Sequence, residues 1–248
     1  MFNKDRKFLY IHVPKTGGTS IESQSDTFRM RCTLGMQKHS LLSEYKREIS
    51  PEDWNNVFKF TSIRNPYDRF YSYFQKHVLR KRLLSVGAKL DKNGNYTLTK
   101  DKSARGANLK LKDINNSYFN NWVIENYSNL RVQKIEGKDI TDLRKVNRDI
   151  YHHYLIDDKG VIDIDYFVLF ENLTPDYNKM SNLISDLRGE NFKKIKEHRK
   201  NPKRDETFSY NRYWPESIKI FNDLNHRDIE LYSRIYQKKT GSKFKGPK

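Results

Sequence analysis

Apolar positions in this chain fall into short runs set between longer polar stretches that have helical spacing. Residues 8–13 (FLYIHV) are rich in β-formers and stop at Pro14, which predicts a short buried strand. Residues 57–63 (VFKFTSI) and 165–170 (DYFVLF) predict a second and a third. After the first strand, residues 15–18 predict a tight loop and residues 19–30 a helix. Its Thr19-Ser20-Ile21-Glu22 start has the spacing of a capping box. After the second strand, Asn65-Pro66 sets a capping residue before a proline at the first helical position, predicting a helix through about Leu84. In it Phe70, Phe74 and His77 recur at i, i+4 and i+7 as a core stripe. Further helices are predicted near residues 118–127, 142–155, 175–188 and 215–238, with a basic loop over 193–208. Residues 85–116 break the pattern and read as an insertion with a hairpin at Asn93-Gly94. Strands alternating with helices indicate an α/β fold with a mainly parallel sheet.

Composition narrows the picture. The 248 residues (29.8 kDa) fit one domain with insertions or two small ones. Hydrophobic residues are 35% and charged residues 32%, but 16 Tyr, 14 Phe and 3 Trp supply enough apolar area for a folded core. The longest strongly apolar run is residues 166–170, far short of the roughly 20 a bilayer span needs. The polar start, residues 1–7, is not followed by a signal-type apolar stretch. Cys32 is the single cysteine, which excludes an internal disulfide and a cysteine zinc site. A cytoplasmic protein of bacterial or viral type is expected.

Charge points to the kind of partner. The net charge is +17, with a pI near 9.7, which calls for an anion: nucleic acid, a phosphorylated cofactor or an acidic polymer. Residues 76–112 hold eleven Lys/Arg against two Asp, and residues 193–204 hold seven against one Glu. These two segments carry most of the excess.

Two loops carry candidate chemistry. Pro14-Lys15-Thr16-Gly17-Gly18-Thr19-Ser20 lies between strand and helix. Its glycines admit an anion to backbone N–H groups, Lys15 adds a charge, and Thr16, Thr19 and Ser20 add hydroxyl donors. This is not the nucleotide-triphosphatase loop, in which the lysine follows the glycines. Taken alone the heptapeptide also fits an ordinary capped Gly-Gly turn. The second loop, Arg64-Asn65-Pro66-Tyr67-Asp68-Arg69-Phe70-Tyr71-Ser72, follows the second strand. Arg64 falls at the carboxyl end of that strand, where open α/β sheets bind ligands. On a helical wheel Ser72 is turned away from the Phe70/Phe74 stripe. By itself this segment also fits an arginine salt bridge and an idle serine.

Together, in this order and context, the loops resemble the two signatures of sulfotransferases that use 3′-phosphoadenosine 5′-phosphosulfate. The likeness is closest to the carbohydrate-directed branch, which includes heparan 2-O- and chondroitin sulfotransferases and bacterial members. Weaker blocks resemble the family at Lys38-His39-Ser40, at residues 161–173 and at residues 228–232. The resemblance implies a single sulfotransferase domain over 1–248, with a P-loop-like three-layer fold. It implies that Lys15, Thr16, Gly17, Gly18, Thr19 and Ser20 hold the 5′-phosphosulfate. Arg64 and Ser72 would hold the 3′-phosphate, with Lys203 and Arg204 in a late donor-contacting loop. Lys15 would also stabilise charge on the leaving oxygen, and His39 would be the base for a hydroxyl acceptor, most plausibly of a carbohydrate and possibly an acidic one. No metal is implied. His12 and His77 read as structural, and the adjacent His152-His153 lack a completing carboxylate spacing.

Two other classes fit the sequence less well. A nucleotide-dependent kinase lacks its Walker lysine and magnesium carboxylates here. A basic nucleic-acid-binding protein would account for the charge, but the aromatics sit in core patterns and no nucleic-acid motif is present.

Overall fold

A computed structural model describes residues 1–3, 7–23, 36–79, 81, 88–90, 96–98, 111–127, 148–188 and 213–247. In chain order its elements begin with β1 (Phe2–Asn3), β2 (Phe8–Ile11), α1 (Gly18–Ser23), α2 (Leu42–Glu48), α3 (Pro51–Asn56) and β3 (Phe58–Ile63). Next come α4 (Pro66–Phe74), a π-helical turn (Gln75–Leu79), β4 (Ala88–Leu90), β5 (Tyr96–Leu98) and α5 (Leu111–Tyr127). The chain closes with α6 (Ile150–Leu155), β6 (Tyr166–Leu169), a 3-10 turn (Phe170–Asn172), α7 (Leu173–Arg188) and α8 (Pro215–Thr240). The chain divides into two compact units. The first comprises Met1–Pro66, Thr141–Lys200 and Asn225–Phe244, and the second Tyr67–Ile140, Asn201–Leu224 and Lys245–Lys248.

The first unit is built on a sheet of order β1-β2-β3-β6, in which β2, β3 and β6 are parallel and only β1 is antiparallel. The α/β fold with a mainly parallel sheet is therefore as expected. Alternate side chains bury opposite faces, as strand geometry requires. Leu9, Ile11, Ile63 and Leu169 pack with Leu42, Tyr45 and Trp54 of α2 and α3, with Tyr151 and Leu155 of α6, and with Tyr232 of α8. Phe8, Tyr10, Phe60 and Val168 pack on the other face with Ile21 of α1 and with Tyr177, Met180 and Ile184 of α7. Helices on both faces make three layers. Because the three parallel strands β2, β3 and β6 run the same way, their carboxyl ends open at one edge, which is where the loops that begin at residues 12, 64 and 170 emerge.

The second unit has an aromatic core. Phe70 lies 5.0 Å from Phe221 and 6.0 Å from Phe119, and Phe74 lies 5.1 Å from Phe119, between ring centroids. The Tyr213 hydroxyl donates to the Tyr67 carbonyl at 2.9 Å, and the Tyr67 hydroxyl to Asn222 Oδ1 at 2.6 Å. The predicted stripe holds at Phe70 and Phe74 but not at His77. From Gln75 the helix widens to a π turn, so the next buried position is i+5, at Leu79, and His77 is half-buried and stacked on Tyr73 at 4.7 Å. β4 and β5 form the antiparallel ladder of the expected hairpin, while Asn93-Gly94 lies outside the described residues.

Candidate active site

The loop after β2 is shaped mainly by exclusion. Lys15 (φ 72°) and Gly17 (φ 93°) are both left-handed, an uncommon conformation for a lysine. A Cβ on Gly17 would fall 2.7 Å from Phe170 Cδ2, and one on Gly18 would fall 2.1 Å from His12 Nε2. Alternating left-handed residues curl the backbone into the N–H concavity that binds anions elsewhere. The Gly17 carbonyl accepts from the amides of Ser20 (2.9 Å) and Ile21 (3.3 Å), so α1 starts at Gly18 and Thr19 lies inside it. The expected capping box does not form, because the Glu22 carboxylate is drawn to His12 and Lys38 instead. Thr16 is fully buried. Its hydroxyl donates to the Val13 carbonyl at 2.8 Å and bonds Ser62 Oγ at 2.9 Å, and Ser62 Oγ in turn bonds the Tyr10 hydroxyl at 2.9 Å. Thr19 is exposed and Ser20 buried.

Arg64, at the end of β3, is buried at 5% exposure. Its Nη1 donates to the Lys15 carbonyl at 3.4 Å, and its guanidinium lies 4.6 Å over the Phe170 ring. Phe170 is thus a common wall for Gly17 and Arg64. The strand end is held by side chains far away in sequence. The Arg64 amide donates to the Tyr151 hydroxyl at 3.1 Å, that hydroxyl donates to the Arg64 carbonyl, and the Asn65 amide donates to Glu171 Oε1 at 2.7 Å. Asp228 of α8 accepts from the amides of Tyr151 (2.9 Å) and His152 (3.1 Å) at the start of α6, fixing the tyrosine's helix. The blocks at residues 161–173 and 228–232 therefore brace the second loop through Phe170, Glu171 and Asp228.

Two histidines adjoin the first loop. His12 is buried, and burial pushes it down to about 4 against the pull of Glu22, so its ring is neutral at pH 7. Its Nδ1 lies 2.5 Å from Glu22 Oε1, and Lys38 Nζ lies 2.5 Å from Glu22 Oε2. Burial alone would raise Glu22, but the His12 hydrogen bond and the Lys38 ammonium outweigh it and hold the carboxyl below its ordinary value. His39 packs its ring edge-on to His12 at 4.4 Å, and its Nδ1 lies 2.9 Å from the His12 carbonyl. A carbonyl only accepts, so Nδ1 carries the proton and Nε2 is the basic nitrogen of the neutral His39 ring.

The first unit thus brings the Lys15–Ser20 loop, Arg64 and His39 together. Ser72 belongs to the second unit, half-buried on α4, and Lys203 and Arg204 lie outside the described residues. Sequence reasoning missed Glu22 as a bridge, Tyr151 as a brace and Ser62 as a partner for Thr16. Only Glu22 had a local signal, its position in a motif, and that signal pointed to a different bond. Among the described residues no group of three His, Cys, Asp or Glu could hold a metal ion, and no helix is long and apolar enough to cross a membrane.

The glycine loop with Lys15, Arg64 and His39 thus lie at the carboxyl ends of the parallel strands. The family model described as the sulfotransferase family matches residues 1–237, and the chain belongs to that family. It is accordingly a transferase of sulfate, and membership implies a hydroxyl-bearing acceptor. Searches of the curated proteins and of the solved structures each found no match.

Proposed function

We propose that the protein transfers a sulfuryl group from 3′-phosphoadenosine 5′-phosphosulfate to a carbohydrate hydroxyl, with His39 as base. The observation that carries the reading is the meeting of the two motif loops, Arg64 Nη1 lying 3.4 Å from the Lys15 carbonyl. The residues fit a donor with two anionic ends. The left-handed loop carries no side chain of its own at Gly17 and Gly18, Lys15 supplies a cation in the same loop, and Arg64 supplies a second beside it. Lys15, Thr16, Gly17, Gly18, Thr19 and Ser20 would hold the 5′-phosphosulfate, Thr16 through its backbone. Arg64 would hold the 3′-phosphate, to which the motif also assigns Ser72.

The donor supplies a sulfuryl group activated by its bond to phosphate. His39 Nε2 takes the proton of the acceptor hydroxyl as its oxygen bonds to sulfur. Lys15 meets the negative charge left on the departing phosphate oxygen, an interaction strongest in the transition state. The likeness to the carbohydrate-directed branch supports a glycan acceptor, and the +17 charge favours an acidic one. The family match runs through both units, which supports reading them as one catalytic domain. The single Cys32 favours a reducing, cytoplasmic setting.

The test is a mass-detected sulfate-transfer screen with this donor across glycans, glycolipids and small phenols, repeated with Lys15→Ala. Transfer to a glycan is expected. Lys15→Ala should lower turnover far more than affinity for adenosine 3′,5′-bisphosphate. Normal turnover in a folded Lys15→Ala protein would remove the lysine from the chemistry, and transfer to phenols alone would remove the carbohydrate.

A further inference from the structure

The family match does not account for the contacts among His12, Glu22, Lys38 and His39. Glu22 uses both carboxylate oxygens. Oε1 takes the His12 Nδ1–H at 2.5 Å and Oε2 takes the Lys38 ammonium at 2.5 Å, with the glutamate side chain 16% exposed. His12 is 4% exposed and wedged against Gly18. His39 follows Lys38 directly and hangs from the His12 backbone by its Nδ1–H, its ring edge-on to that of His12. One carboxylate therefore ties the buried strand end to the segment that carries the base.

We propose that Glu22 is a positioning residue that sets the orientation and tautomer of His39. The proposal rests on the reading of His39 as the base. Lys38 is 47% exposed, and the contact of its ammonium with Glu22 restrains the stem and with it the peptide just before His39. Fixing the His12 ring through Nδ1 holds the His12 peptide, whose carbonyl receives the His39 proton. With both ends held, Nε2 stays the basic nitrogen and keeps one direction. Released, the imidazole can rotate and carry its proton on either nitrogen. A displacement of about 1 Å at a reacting group costs on the order of 10²-fold in rate.

The experiment uses the full-length protein as wild type, Glu22→Ala, Glu22→Gln, His39→Ala and the Glu22→Ala/His39→Ala double variant. Three readouts are taken: transfer to chondroitin as the probe acceptor, calorimetric affinity for adenosine 3′,5′-bisphosphate, and long-range ¹H–¹⁵N spectra of the histidine rings. The His39 signal is identified by its loss in His39→Ala. Glu22→Ala should lower kcat about 10- to 100-fold with bisphosphate affinity unchanged, and should replace the Nδ1–H form of His39 by a mixture of tautomers. In the His39→Ala background the same change should cost nothing more, since residues acting through one another are not additive. Glu22→Gln keeps an acceptor for His12 and loses the attraction for Lys38, so a smaller loss is expected. It also preserves the test if the alanine variant does not fold.

An unchanged His39 tautomer in Glu22→Ala overturns the proposal. So does a kcat loss that adds in full to that of His39→Ala. Full transfer by His39→Ala instead overturns the base reading, and the spectra then decide by themselves whether Glu22 orders the ring. If chondroitin is not an acceptor, the spectra decide in the same way.

Discussion

At Gly17 and Gly18 the backbone is shaped by what cannot be there, since a Cβ would strike Phe170 Cδ2 at 2.7 Å or His12 Nε2 at 2.1 Å. At Arg64 and Asn65 it is shaped by what must be there: the hydroxyl of Tyr151 and the carboxylate of Glu171, which lie 87 and 106 residues further along the chain. The two loops open at the same sheet edge, and they should fail differently. The first should break when atoms are added to it. The second should break when atoms are removed from residues that touch no ligand.

The largest expected effect is therefore at Gly17. Gly17→Ala combines a left-handed φ with a clash against the half-buried Phe170 ring, costing roughly 2–5 kcal/mol by the sum of the two strains. Urea unfolding checks it. A cost below about 0.5 kcal/mol would mean that the loop is not held by exclusion.

Tyr151→Phe comes next. It deletes only one oxygen, but that oxygen accepts from the Arg64 amide and donates to the Arg64 carbonyl in a buried site. Groups left unsatisfied there cost about 1–3 kcal/mol. Adenosine 3′,5′-bisphosphate affinity should fall as Arg64 loosens, although Tyr151 has no role in contacting it. Unchanged stability and affinity would show that the brace is dispensable.

The smallest effect is one of pH. Unfolded His12 takes a proton near its ordinary pKa of about 6.5, whereas burial delays this in the folded state to about 4. The unfolded state binds more protons in that window, so stability is fully present above about pH 6.5 and declines as pH falls toward 4. Between about pH 7 and about pH 5.5 the decline due to His12 is on the order of 1 kcal/mol. His152, also lowered by burial, contributes a slope of the same sign, so the difference between wild type and His12→Gln isolates His12. Parallel pH curves for the two proteins would place His12 outside this account.

What the amino-acid pattern revealed follows the same division. Strands at residues 8–11, 58–63 and 166–169 and the loop between β2 and α1 are local, because β-rich runs and Gly-Gly spell themselves out over a few residues. The helix starting at Pro66 was legible for the same reason. Helices α2 and α3 were overlooked although Ser50-Pro51 carried a start signal, now seen as Ser50 Oγ accepting from the Asp53 amide at 3.1 Å. His77 was misplaced because a π turn shifts the helical phase by one residue, which periodicity cannot announce. Glu22 was misread because a capping box and a bridge to His12 compete for the same carboxylate, and only the fold decides between them. Tyr151 had no signal at all. Its importance comes from a partner that the parallel sheet brings to it.

The central claim is that the two loops divide the donor's two anionic ends, with Arg64 on the 3′-phosphate. The most direct measurement is calorimetry of wild type and Arg64→Ala with adenosine 3′,5′-bisphosphate and with 5′-AMP. A charge-assisted hydrogen bond is worth about 1.5–3 kcal/mol, so the wild type should prefer the bisphosphate by about tenfold or more and Arg64→Ala should lose most of that preference. A preference carried unchanged into a folded Arg64→Ala protein would contradict the account.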